Sequence, residues 1–518
     1  MIKIFYMNFI SRIVLVLIFM GTFFYGNSQT IVLQDSISAR DSVLVQDSIP
    51  VQDSVQVEDS LTYPIVKTFL GNWQRNFYGK NAPDTLSIIW KHFLGTGETV
   101  ISRKAGSKTW SGAGWTGQPL LVKEKGKLYL IQGAYDHHLK KIDAETGNLV
   151  WQYKFDDVVK GTGTLWEDRN ADLPENSIVI LQGSRLGVGN FLDTKHIPSY
   201  RAISYFTGKE LWRMDQKWTH SYSRDVDGSA LILNDTAYLG LENSYFTVFD
   251  PNYKNGKMLN AMFQPKIIQE RKLYTLDDVR KHRNNVVTES SPSILKNRIY
   301  VASGSGHVFG YNLKTRELDW DFYIGSDMDG SAIVTLDSNI LASVEKQYIK
   351  GKGGAFKLDP SKSPKDAALW YFPVDDKDFA GWEGGIIGSI GINDNYINSE
   401  ETHLAAFNAI DGYLYVVDHK SIDSTKTVLG PDSLSVYNTP NLVFKQKVGP
   451  SISTPIFVDD KLIVAGYWGI RIYKYDAENN FELLDKRKGT FESTPIVWDN
   501  KIYIASRDGY LYCFGLKN

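Results

Sequence analysis

The feature that most constrains this chain is a thirteen-residue pattern that returns along it. "KIDAETGNLVWQY" (Lys141 to Tyr153), "AISYFTGKELWRM" (Ala202 to Met214) and "GYNLKTRELDWDF" (Gly310 to Phe322) share one register. Thr146, Thr207 and Thr315 each stand five residues before Trp151, Trp212 and Trp320, and Gly147 and Gly208 follow the first two threonines. A strand, a turn built on Thr and Gly, and a second strand make a β-hairpin. A hairpin that recurs is one unit of an array rather than a domain in itself. A worn copy comes early, in "DTLSIIWKHF", where Thr85 precedes Trp90 by the same five residues.

The rest of each unit is legible between the hairpins. "SSPSILKNRIYVASGSGHVFGYN", "STPIFVDDKLIVAGYWGIRIYKYD" and "STPIVWDNKIYIASRDGYLYCFG" each run from small residues through an apolar strand, a polar turn and another strand. Joined to the Trp hairpin, each becomes a four-stranded antiparallel meander, and such units in series read as propeller blades. Eight starts are expected, near Gly117, Gly163, Gly228, Ser291, Gly330, Gly388, Thr454 and Thr494. The expected fold is therefore all-β, an eight-bladed β-propeller of four-stranded blades. The chain ends at Asn518 without room for a last outer strand, while Leu86 to Phe93 belongs to no earlier blade. Lending that strand to the last blade closes the ring and pairs two open edges.

Three blades lack the tryptophan, and Asn260, Phe444 and the Leu483 region are expected on their outer strands. A long insertion, Leu186 to Tyr200, leaves open whether the second blade is a complete sheet. Gln264 to Asn285 carries the one convincing helical signal, with Thr275 and Asp278 spaced as a capping box. It is expected to form a lid or docking feature.

The N-terminal segment reads differently. Lys3 and Arg12, the apolar run Ile13 to Tyr25, and the small residues Gly26 and Ser28 have the form of a signal peptide over residues 1–28. That run is shorter than the roughly 20 residues a membrane span needs, and no second one follows, so the mature chain is expected to lack a transmembrane segment. Residues 29–63 repeat Asp-Ser-aliphatic with a period of six, a low-complexity linker too poor in apolar surface to order itself. Export to the periplasm, the cell surface or the medium follows. The propeller is assigned to residues 64–518. Of 518 residues only Cys513 is a cysteine, which excludes an internal disulfide. A formal net charge of −2 and a pI near 6.5 give no footprint for nucleic acid.

Candidate site residues come from comparing blades. Aligned on Ala230, Pro292, Ala332 and Pro495, four blades place an acid three residues earlier: Asp227, Glu289, Asp329 and Glu492. Innermost strands line the central channel, so these acids are expected at one mouth, able to hold a cation or a basic partner segment. Asp225 and Asp327 repeat the acid two residues earlier. Trp115, Trp166 and Trp382 sit in Gly-rich turns and are the candidate ligand-binding aromatics. His137 and His138 have no partner at metal-ligand spacing, and no nucleophile motif or phosphate loop is present.

The pattern Asp-Ala-x-Thr-Gly-x-x-x-Trp, as in Asp143, Ala144, Thr146, Gly147 and Trp151, resembles the repeat of the quinoprotein-dehydrogenase-like propellers, called PQQ-like repeats. The resemblance covers roughly Phe69 to Asn518. It implies that Trp90, Trp151, Trp212 and Trp320 pack between blades. It also implies two function classes: dehydrogenases using pyrroloquinoline quinone (PQQ) and calcium, with a vicinal cysteine pair, and non-enzymatic scaffolds similar to the propeller subunit of the outer-membrane β-barrel assembly machinery. With one cysteine the pair is impossible. The Asp-Ser-aliphatic repeat likewise resembles a bacterial O-glycosylation sequon, with Ser36, Ser42, Ser48, Ser54 and Ser60 as acceptors. The expectation is an exported scaffold without cofactor or catalytic residues, binding an envelope protein or peptide. A dehydrogenase using PQQ and calcium and a carbohydrate-binding surface protein are the alternatives.

Overall fold

The computed structural model describes residues 61–102, 105–115, 117–185, 196, 198–398 and 401–516. The expected acceptor serines and the signal peptide lie outside these residues.

Eight sheets follow one another in sequence, as the eight starts require. Their innermost strands begin at Leu120, Thr164, Leu231, Ser293, Ile333, Gly391, Ile456 and Ile496. Each blade is an antiparallel meander from the channel outward, and buried aliphatic and aromatic residues fill the spaces between neighbouring sheets. The ring closes through Ile88–Phe93, which pairs antiparallel with Tyr510–Gly515 as the outer strand of the eighth blade. The second blade is complete, with four strands spanning Thr164–Glu167 to Glu210–Met214.

The repeat has a physical cause in the way one blade meets the next. The indole N–H of Trp90 donates to the Ala144 carbonyl at 3.1 Å, Trp151 to Tyr205 at 3.0 Å, Trp212 to Pro251 at 2.7 Å and Trp320 to Lys362 at 3.1 Å. Each tryptophan therefore docks on the third-strand turn of the following blade. Gly147 and Gly208 lie at those turns with φ of 74° and 68°, and a Cβ on Gly208 would stand 2.9 Å from the Trp151 ring. Glycine is needed there twice over, for the left-handed backbone and for the close approach. Asp143 Oδ1 fixes the turn by accepting from the backbone N–H groups of Glu145 and Thr146 and from the Thr146 hydroxyl. Trp370, in the fifth blade, uses the same contact, donating to the His419 carbonyl at 3.0 Å.

Two details differ from the sequence reading. Asn260 is not on an outer strand: it sits at φ 55° in the tight turn of an inserted hairpin, Lys257–Leu259 with Met262–Gln264, and the outer strand of the third blade is Lys266–Lys272. The inserted hairpin displaced the register that a Trp would have marked. Of the stretch read as helical, only Leu276–Lys281 is a helix, and its start is the capping box between Thr275 and Asp278. Phe444 and Leu483 do lie on outer strands, Asn441–Lys447 and Phe481–Arg487.

The channel itself is filled by the segment before the first blade. Thr62–Val66 pairs with the innermost strand of blade one, starting within the span assigned to the linker, and Gly79–Lys80 adds in parallel to that of blade eight. Between them, backbone carbonyls of Lys67, Trp73 and Gln74 accept from Leu165, Ile294 and Val334 of blades two, four and five. Tyr78 Oη accepts from the Ile392 N–H of blade six, and the Ala82 N–H donates to Asp459 of blade seven. Arg75, fully buried without a carboxylate partner, spends its guanidinium on the carbonyls of Ser229, Pro292 and Phe69 and the Thr68 hydroxyl. Burial pushes it down to about 9. One segment thus touches all eight blades.

Candidate channel-mouth site

Four residues before each innermost strand, the chain turns from the neighbouring blade into the channel. Read around the ring from blade two, that position holds Lys160, Asp227, Glu289, Asp329, Ile387, Ile452 and Glu492, and its equivalent in blade one, Thr116, lies outside the described residues. The four acids named from the sequence are equivalent positions in the ring, as expected. The same alignment carried through blades two, six and seven would have found Lys160, Ile387 and Ile452, which sequence reading missed. The mouth is therefore two-sided, with charge on blades two to five and an apolar wall on blades six and seven.

The charged side contains two groups of carboxylates. Asp227, Glu242 and Glu289 bring oxygens within 4.8 Å of one another, and so do Asp327, Asp329 and Glu345. In the first group Lys160 Nζ lies 2.5 Å from Asp227 and 3.6 Å from Asp225, which also accepts from Arg185 at 2.8 Å. Burial works against the ammonium, but Asp227, Glu289 and Glu242 outweigh it, so Lys160 is held charged well above the ordinary lysine range. Glu242 accepts from the Ser223 hydroxyl through Oε2 and leaves Oε1 without a partner. In the second group Asp327 Oδ2 accepts from Asn285 Nδ2 at 2.6 Å, while Oδ1 is buried and unpartnered. Burial raises Asp327 to about 6 and Glu289 to about 8, and lifts Asp329 and Glu345 well above the carboxylate range with help from each other's neighbours. Glu492 stands apart, neutralised by Arg507 at 2.8 Å and bonded to the Tyr467 hydroxyl.

The aromatic candidates divide. Trp115 lies in the loop before blade one, yet its Nε1 donates to Glu289 of blade four at 2.6 Å and its ring stacks on Trp382, centroids 6.0 Å apart and planes 24° apart. Lys160 Nζ is 5.3 Å from the same ring. A side chain that starts at blade one and meets the blade-four acid and the ring before blade six must cross the channel axis. Both rings pack on Ile387, Ile410 and Ile452, beside Phe379. Trp115 achieves this at φ 49°, an unusual conformation for a bulky residue, in a loop with Gly112, Gly114 and Gly117 around it. Trp166 is elsewhere: it belongs to the innermost strand of blade two rather than to a turn, is 4% exposed, and donates to Asp235 at 3.0 Å.

A third group was not foreseen. Asp394 Oδ1 accepts from His403 Nδ1 at 2.6 Å and from His419 Nε2 at 3.0 Å, and Lys420 and Lys357 face the outer nitrogens at 2.7 and 3.2 Å. With ammonium donors on the outer nitrogens, each imidazole accepts there and donates to Asp394. That is a satisfied proton arrangement between neutral imidazoles and a carboxylate, with no lone pair left for a metal ion. Through Leu336 N–H, which donates to Asp394 Oδ2, and Lys357, it clamps blade five to blade six.

No family model matches the chain, and no curated protein does. Solved structures do. BamB from Moraxella catarrhalis aligns at 12% identity over 83% of this chain and 100% of its own, with a TM-score of 0.50. Quinohemoprotein alcohol dehydrogenase from Comamonas testosteroni aligns at 13% identity over 89% of this chain and 82% of its own, TM-score 0.55. A europium-containing methanol dehydrogenase aligns at 12% identity over 89% of this chain and 100% of its own, TM-score 0.54. These are PQQ-like β-propellers, and at such identities what is shared is the fold.

Proposed function

We propose that this protein is an exported, non-enzymatic propeller scaffold that binds a protein or peptide partner in the cell envelope. One observation carries the reading: the chain occupies its own channel, with residues 62–82 filling it behind the mouth and Trp115 lying across the axis in front of the acids. A cofactor on the axis would have to share that space with this segment and with Trp115. No helix among the described residues is long and apolar enough to cross a membrane.

The quinone reading was set against the residues present. The oxygen donors of Asp327, Asp329 and Glu345 suit a hard cation. A planar quinone would have to displace Trp115 from the face of Trp382 that it already covers, and Cys513 lies buried in the third strand of blade eight with no second cysteine beside it. The carbohydrate reading keeps less surface, since Trp115 and Trp382 stack on one another and Trp166 is buried.

Titration of the mature chain with PQQ and calcium, followed by tryptophan fluorescence and Tm, tests the choice. No saturable quinone binding is expected. Saturable binding accompanied by dye-linked alcohol or sugar oxidation would replace the scaffold reading with the dehydrogenase. The positive arm is crosslinking in cells from a photoreactive residue at Tyr222, exposed beside the mouth loops, with one envelope protein expected as a specific adduct.

A further inference from the structure

Blades three and five carry the same three acids at matching places. "RDVDGSA" leads into blade three and "SDMDGSA" into blade five, so Asp225 and Asp227 correspond to Asp327 and Asp329. The third member also matches, because Glu242 directly follows the second strand of blade three, Thr236–Leu241, and Glu345 directly follows that of blade five, Ile340–Val344. The difference lies in what the preceding blade contributes. Blade two supplies Lys160, whose ammonium sits 2.5 Å from Asp227, and Arg185, which donates to Asp225 at 2.8 Å, whereas blade four supplies Glu289 at the position of Lys160. The blade-five copy thus gathers Asp327, Asp329, Glu345 and a neighbouring Glu289, and among the described residues no Lys, Arg or His lies within ion-pair distance of the first three.

The blade-five copy also has an open valence. Asp327 is 5% exposed and its Oδ1 has no hydrogen-bond partner, so burial leaves a polar atom whose lost hydration nothing in the chain replaces. Asp329 and Glu289 are only partly buried, so the group is reachable from the mouth. Beside the acids Trp115, Trp382 and Phe379 lie over the buried Ile387 and Ile452, and Trp115 reaches Glu289.

The geometry points to a binding site for an ammonium group brought from outside: the side chain of a lysine flanked by aromatic or aliphatic residues in a partner segment, taking at Asp327, Asp329 and Glu345 the place that Lys160 takes in the blade-three copy. The proposal rests on the scaffold reading and names its contact. The internal counterpart points to the ligand chemistry, since Asp225 and Asp227 already face cationic side chains, Arg185 at 2.8 Å and Lys160 at 2.5 Å, while Asp227 and Glu242 still keep oxygens without a hydrogen-bond partner. The partly exposed rings of Phe379 and Trp382 account for the flanking residues, which would pack on them while the ammonium meets the acids.

The test uses the mature chain and three titrants in calorimetry at neutral pH and low salt: acetyl-Phe-Lys-Phe-amide, the same peptide with norleucine for lysine, and calcium chloride. One saturable site is expected for the lysine peptide, with affinity at least tenfold lower for the norleucine peptide and for the D327N/D329N variant. E345Q serves as the second variant, so that a fold defect in the double variant, read from its Tm, does not decide the matter. K160M is expected to bind two equivalents of lysine peptide rather than one. Equal binding of the two peptides, absence of saturation, or calcium filling the site without competition from peptide would each overturn the proposal. The crosslinked adduct at Tyr222 separates the two readings: an adduct that persists in D327N/D329N while the lysine peptide fails to bind leaves the scaffold standing and removes this contact, and loss of both removes both.

Discussion

A single indole N–H at a blade junction shows what the repeat encodes. Trp212 is 1% exposed and gives its N–H to Pro251 of the next blade. Trp212→Ala is expected to cost about 3–5 kcal/mol, the usual penalty for emptying an aromatic site. Trp212→Phe should cost less, about 1–3 kcal/mol, from the carbonyl left unpaired. Denaturant unfolding of the two variants separates packing from hydrogen bonding, and equal losses would contradict the role given to the N–H. Gly208→Ala should also destabilise, by about 1 kcal/mol or more, since the backbone there is left-handed and the Trp151 ring leaves no room for a methyl group. The turn glycine and the tryptophan were both legible as a pair in the sequence. That they belong to neighbouring blades was not, because the contact joins residues some fifty to sixty positions apart, such as Trp151 and Gly208.

At the scale of elements, the segment filling the channel carries the largest expectation. Arg75→Met leaves the Ser229 and Pro292 carbonyls without their donor, and a loss of at least about 3 kcal/mol is expected, measured by thermal or urea unfolding. A wild-type-like midpoint would mean that water satisfies those groups. The sequence did announce the closing strand at Trp90, because it repeats the hairpin register. It did not announce residues 62–82, which share no pattern with the blades, although "TYPIVKTFLGNW" is too aromatic for the linker that precedes it. The clamp between blades five and six was hidden for a related reason: Asp394, His403 and His419 are separated by nine and sixteen residues, with no helical or strand period to bring them together.

For the whole molecule, the two kinds of buried charge set opposite limits on pH stability. Glu289 and Asp327 bind protons more tightly folded than unfolded, at about 8 and about 6, so stability falls as pH rises from near 4 through those values. Asp394 is depressed by its two imidazole donors despite burial, and burial lowers His419 below the free imidazole range. For both, the unfolded state takes up protons first, and stability falls as pH drops below about 6.5. The two limbs oppose each other between about pH 4 and 6.5, and above 6.5 only the carboxylate limb remains, so Tm is expected to fall as pH rises from 6.5 to 8. E289Q should flatten the alkaline limb and leave the acid one, while D394N should lower Tm throughout and weaken the acid limb. Thermal melts across pH 4 to 9 check both, and an unchanged alkaline limb in E289Q would place its proton elsewhere.

What the sequence determined by itself was the array. A strand-turn-strand meander begins eight times, marked in two blades by a Thr-Gly turn, and a repeated unit that cannot bury its own faces has to stack, so the blade number and the closing strand follow. It also determined which acids share a ring position, because equivalent residues in a propeller gather at one mouth. Only the tertiary structure decided what those acids face. Lys160, Trp115 and the channel-filling segment come from blade starts and from the N-terminal side, and long-range burial rather than any local preference brings them to the axis. Whether such an acid is paired by its own chain, as Asp225 is by Arg185, or keeps a buried oxygen without a hydrogen-bond partner, as Asp327 does, depends on that one neighbouring blade.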